Sequence, residues 1–145
     1  MRLYSFTNMY MGGIHAGIQT AHVIHTMQRK YELKGSLDKK AILDEWLDNH
    51  KTIYVLNGGN QASLQWLYRE LTEYSALLSL PIGKWHEGKE DLNGAMTAAC
   101  IVVPEYVYNF GDGGIATEGM SDEELKIACA IGNLSRLLKQ YRFAN

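Results

Sequence analysis

The sequence predicts an α+β fold, a single domain over residues 1–145 built as one mixed sheet flanked by helices. Three observations carry this. Short runs rich in β-branched and aromatic residues alternate with longer runs in which apolar residues recur every three or four positions. One short run, KTIYVLN, passes through the tight turn NGGN straight into a helical run, the succession that gives a strand a parallel neighbour. The 145 residues, 46% of them apolar, make about one domain with a sizeable core, and no repeat, linker or low-complexity tract divides them.

Taken in order, RLYSF at 2–6 alternates as a short strand does. A helix follows from Ile14 to about Tyr31, where Ile14, Gly17, Ile18, Ala21, His22 and His25 recur on one face. Gly17 and Ala21 make that face narrow, which predicts close packing against a sheet, another helix or a second copy of the chain. Ser36 is placed to cap a helix over roughly 38–49, with Ile42, Leu43, Trp46 and Leu47 on its apolar side. After the strand at 51–57, Asn60 is placed to cap a helix carrying Leu64, Leu67, Leu71 and Leu78 and ending before Pro81. GAMTAACIVVP, 94–104, is small and β-branched throughout, the composition of a strand buried on both faces; EYVYNF either extends it or pairs at its edge. GDGGIATEG, 111–119, has four glycines in nine residues and predicts a flexible loop. Ser121 and Glu124 then form a capping box, with Asp122 and Glu123 at the positive end of a helix running to about Tyr141.

Charge and cysteine content exclude several functions. Fourteen Lys and Arg against sixteen Asp and Glu leave a net charge of −2, so no global basic field exists for non-specific binding of duplex nucleic acid. Cys100 and Cys129 are isolated in apolar stretches and read as two buried thiols in a reducing compartment. No run approaches the roughly 18 apolar residues of a membrane span, so no membrane partner is expected and the chain reads as cytoplasmic.

The chemistry-bearing stretches each admit two readings. His15, His22 and His25 share a segment, but no carboxylate or thiolate stands at ligand spacing, so no metal is expected. NGGN either turns phosphate-binding N–H groups outward or serves as an ordinary helix entry capped by Asn60. In KWHEGKEDLNG, 84–94, Trp85 either stacks on a base or covers the core, while Asn93 carries a donor and an acceptor for a base edge. Arg69, Arg136 and Arg142 suit phosphate or a solvated helix face. No GxSxG or exposed Cys–His pairing suggests a nucleophile, so no catalytic residue and no cofactor is assigned.

MYMGGIHAGIQTAHV resembles the first loop and helix of archaeal and eukaryotic-type peptidyl-tRNA hydrolases, with Met11, Gln19, Ala21 and His22 in register. The resemblance continues through KTIYVL, the leucine-rich helix, Leu80–Pro81 and GAMTAACIVVP, and implies a four-stranded mixed sheet between helices. Gly13 and His15 stand where that family has loop lysines, and HEGKED replaces its D-A-G-R-T-Q stretch, so the scaffold is implied without its reaction.

The chain also resembles the phage Thoeris anti-defence sponges, through Met9 to His22, LNGAMTA at 92–98 and GNLSRLL at 132–138. That resemblance implies a non-enzymatic homo-oligomer, a dimer or higher. It would sequester cyclic ADP-ribose isomers, and some members hold cyclic oligonucleotides, in the cytoplasm of an infected bacterium. By that similarity Asn93 and Arg136 belong to the ligand site, with Trp85, Thr97 and Arg69 added on chemical grounds and Arg29 and Lys30 as a second anion site. The alternative is a hydrolase-like enzyme acting on an ester of tRNA or a related nucleotide, with His15 or His22 as its surviving polar group.

Overall fold

In the computed structural model, which describes residues 1–111 and 116–145, four strands form one mixed sheet with helices on both faces. The strands are β1 (Arg2–Thr7), β2 (Ile53–Asn57), β3 (Ile82–His86) and β4 (Met96–Val103), in the order β2-β1-β4-β3. β1 and β2 run parallel, and β4 is antiparallel to both β1 and β3. The helices are α1 (Ile14–Leu33), α2 (Leu37–Glu45), α3 (Gln61–Leu78), α4 (Lys89–Leu92), α5 (Glu105–Tyr108) and α6 (Asp122–Lys139). A wider turn over Trp46–His50 ends α2.

The alternating sides of the strands build two cores. On one face Leu3, Ala98, Cys100 and Val102 meet Val23, Met27 and Tyr31 of α1 and Leu43 and Trp46 from the second helical stretch. On the other, Tyr4, Phe6, Ile101 and Val103 meet Leu64, Leu67 and Leu71 of α3 and Leu134, Leu137 and Leu138 of α6. Every residue of β4 is buried, as a strand covered on both faces requires. α1 lies so close to β3 that a Cβ on Gly83 would fall 2.3 Å from Met27 Cγ.

The helix caps follow the side chains available. Asn60 Oδ1 accepts from Ser63 N at 2.9 Å, and Ser121 Oγ accepts from Glu124 N at 3.2 Å, so each cap satisfies one of the orphan donors of its helix. Past α6, residues 142–144 run antiparallel along the outer side of β2: Asn57 N donates to Arg142 O and Ala144 N to Val55 O.

Four readings are corrected. The buried stripe of α1 is Ala16, Gln19, Thr20, Val23, Met27 and Tyr31, not the stripe through Ile14, Gly17 and Ile18. Ile14 is 77% exposed, and a Cβ at Gly17 would meet nothing within 4 Å among the described residues, so Gly17 is not the close-packing position its spacing predicts. Residues 105–108 form the turn α5 and not a strand, because Pro104 caps it and accepts from Val107 N. The stretch containing Trp85 is not all loop: residues 82–86 are the edge strand β3, its pattern broken in the sequence by Pro81 and Gly83. Cys129 is exposed on α6 between buried Ala128 and Ala130, leaving Cys100 as the one buried thiol. The predicted flexible loop at 111–119 falls partly on residues 112–115, outside the described residues.

Candidate ligand-binding site

The C-terminal ends of β1 and β2, the start of β4 and the N-terminal end of α3 meet around one crevice of about 450 Å³. Ligand sites of α/β sheets gather at such strand ends, and the volume falls within the usual small-molecule range. Its lining includes Asn8, Tyr10, Asn60, Gln61, Leu92 and Thr97, neutral amides and hydroxyls with apolar neighbours.

Each polar group there is held by a specific contact. Asn8, directly after β1, is buried; its Oδ1 accepts from Tyr10 N at 3.1 Å and its Nδ2 donates to Met96 O at 3.4 Å. Its backbone N–H donates to Thr97 O, and the next, Met9 N, donates to Gly59 O, tying the loop to both neighbouring turns. Thr97 is fully buried and donates through Oγ1 to Gln19 Oε1 at 2.6 Å, while Ser5 and Thr20 share a hydroxyl–hydroxyl bond of the same length. Gln19 and Thr20 thus face inward because strand hydroxyls stand opposite them, and a buried polar group needs such a partner. Tyr10, by contrast, is 81% exposed at the rim.

The acid–base properties of this neighbourhood are plain. Burial pushes the Cys100 thiol up to about 12, against a smaller lowering effect of the Ser5 hydrogen bond, so at neutral pH it is a protonated core group and not a nucleophile. His22 does not face the crevice: its ring stacks on Trp85 at 4.7 Å and 18°. His86 Nδ1 bonds the Gly94 carbonyl at 2.9 Å, and His50 lies 3.3 Å from Glu45.

The sequence-selected residues are not brought to one place. Thr97 lines the crevice. Exposed Asn93 caps α4 in the left-handed conformation, φ 53°, beside crevice-lining Leu92. Trp85 packs against the α1 core, with one ring face taken by His22 and its buried Nε1 without a hydrogen-bond partner among the described residues. Arg69 is exposed on α3, and Arg136 on α6 bonds Asn133 and lines a separate pocket with Phe110 and Cys129. The sheet lies between Trp85 and these two arginines, since α1 covers one face and α3 and α6 the other. Arg29 pairs with Glu32 at 3.8 Å and Lys30 lies over the Tyr31 ring, both on the exposed side of α1.

Sequence reasoning missed Asn8, Tyr10 and Gln61 as lining groups. The one signal for them is position: each stands where a strand ends or a helix begins, and loops at strand ends carry ligand groups. No helix among the described residues is long and apolar enough to cross a membrane. No protein-family model matches the chain, and no curated protein matches it.

Proposed function

We propose that the chain is a non-enzymatic binder that captures a cyclic nucleotide signal, of the cyclic ADP-ribose class, in the crevice above β1 and β4. The observation that carries this reading is the crevice lining: among the described residues it is made of amide and hydroxyl groups, the Tyr10 ring and apolar neighbours, groups suited to a base and ribose. Tyr10 offers a ring for stacking, and the N-terminal end of α3 brings positive backbone dipole to a phosphate. The likeness to anti-defence sponges narrows the ligand class. Stoichiometric capture asks for a Kd below about 1 µM, about −8 kcal/mol.

The sponge likeness also proposes a homo-oligomer. A site using both Trp85 and Arg136 would take them from different copies, because the sheet separates them within one chain.

To test the reading, the protein is mixed with cyclic ADP-ribose isomers and cyclic oligonucleotides, freed of unbound ligand, heat-denatured, and the supernatant assayed by mass spectrometry. Intact ligand should be recovered, and Tyr10→Ala should weaken uptake about tenfold. No uptake across the panel overturns the proposal. The second reading is a hydrolase on the same scaffold, favoured by the four-stranded mixed sheet that the hydrolase likeness implies. It predicts cleaved product at substoichiometric protein and loss of turnover in His22→Ala.

A further inference from the structure

A second cavity, of about 170 Å³, lies between the sheet, α6 and the residues after α6, and shares no lining residue with the crevice. Five aromatic side chains wall it: Tyr4, Tyr54, Tyr108, Tyr141 and Phe143. Tyr54 contacts two of the others, its ring 5.3 Å from the Tyr4 ring in a tilted pair and 5.5 Å from the Phe143 ring in an edge-on pair. The guanidinium of Arg2 lies over two of these rings, 3.9 Å from Tyr108 and 5.0 Å from Tyr54. Burial raises the Tyr4 and Tyr141 phenols above their ordinary value, so both stay protonated at neutral pH, and Lys139, which donates to the Phe110 carbonyl at 3.1 Å, brings a positive charge to the lining.

Ser135 of α6 also lines this cavity, is 1% exposed, and its Oγ has no hydrogen-bond partner among the described residues. A helical hydroxyl ordinarily bonds the carbonyl four residues earlier. Thr20, Thr26 and Thr72 do so here, to Ala16, His22 and Tyr68. Ser135 does not, although alanine would fill its place without a stranded hydroxyl. The Ser135 hydroxyl is thus a buried donor and acceptor at the cavity wall with its hydrogen bonds unused among the described residues.

We propose that this cage binds a planar heteroaromatic ring bearing an anionic group, the chemistry of a nucleoside monophosphate. The ring packs among the tyrosines and Phe143, its polar edge meets Ser135 Oγ, and the anion meets the Arg2 guanidinium. The size suits partial insertion: a cavity of about 150 Å³ takes a benzene ring, so 170 Å³ holds one ring of the base while the rest of it, with sugar and phosphate, stays at the mouth. Aromatic faces accept a stacked or edge-on ring, and the planar guanidinium fork suits phosphate oxygens.

The test is calorimetric titration of the full chain with adenosine monophosphate, adenosine and inorganic phosphate. The monophosphate should bind saturably and more tightly than either part. Ser135→Ala should weaken it about fivefold, the worth of one neutral hydrogen bond, without lowering the melting temperature. Arg2→Gln should weaken the monophosphate and leave adenosine unchanged, and Tyr10→Ala, at the exposed rim of the crevice, should change neither. Absence of saturable binding, or full affinity in Ser135→Ala, overturns the proposal. Loss of binding in Tyr10→Ala also overturns it, by moving the probe to the crevice.

Discussion

α1 and α3 pack against opposite faces of the same sheet, and their inward sides differ in kind. α3 presents Leu64, Leu67 and Leu71, all fully buried, to an apolar face. α1 presents Ala16, Gln19 and Thr20 in its first turns, and only from Val23 onward a hydrophobic stripe. α3 is seated by volume and surface, α1 at its N-terminal half by the Thr97–Gln19 and Ser5–Thr20 hydrogen bonds. An apolar seat tolerates sliding between similar side chains, whereas a buried hydrogen bond accepts one register. The polar seat also lies beside the crevice, so α1 is positioned most strictly where a ligand would sit.

That contrast can be broken most severely on the α3 side. Leu67→Ala should destabilise the protein by about 2–5 kcal/mol, read by urea denaturation, because it opens a cavity in a fully buried cluster. On the α1 side, Thr97→Val strands the Gln19 amide and should destabilise by about 1–3 kcal/mol. Combining it with Gln19→Leu should recover part of that loss, and simple additivity in the double-mutant cycle would refute a polar seat. On the outer side of α1, Gly17→Ala should stabilise by about 0.5–1 kcal/mol, since nothing stands in the way of a Cβ and alanine is the better helix former. Destabilisation, or a changed mass in solution, would instead show that a second copy covers this side. The smallest effect concerns the two thiols, one in each layer. Exposed Cys129 should be alkylated in the native protein at pH 8, while Cys100, pushed up to about 12, should react only in denaturant. Two native equivalents would mean that the α1 layer opens readily.

The same contrast explains what was legible in the sequence. α3, β4 and α6 were readable because their burial is written in leucine and β-branched residues at regular spacing, and because Asn60 and Ser121 are strong caps. The extent of α1 was readable too, but its inward side was not, since periodicity counts apolar residues and cannot see that Gln19 and Thr20 have partners 78 and 15 residues away. β3 was hidden for a related reason: an edge strand with exposed Lys84 and His86 reads as a polar loop. Of the candidate site, Thr97 and the Asn60 cap lie at the crevice, while Asn8 and Tyr10 come there through loop hydrogen bonds that no local pattern encodes.

The run of residues 142–144 along β2 bears on how the protein behaves at high concentration. A sheet edge with free N–H and C=O groups invites another chain to add a strand. At β2 that invitation is withdrawn by the chain's own backbone, through Asn57 to Arg142 and Ala144 to Val55. At β3 the opposite edge is left uncovered among the described residues but carries exposed Lys84 and a register break between Trp85 and His86. One edge is sealed and the other made a poor template, so neither favours self-association by extension of the sheet.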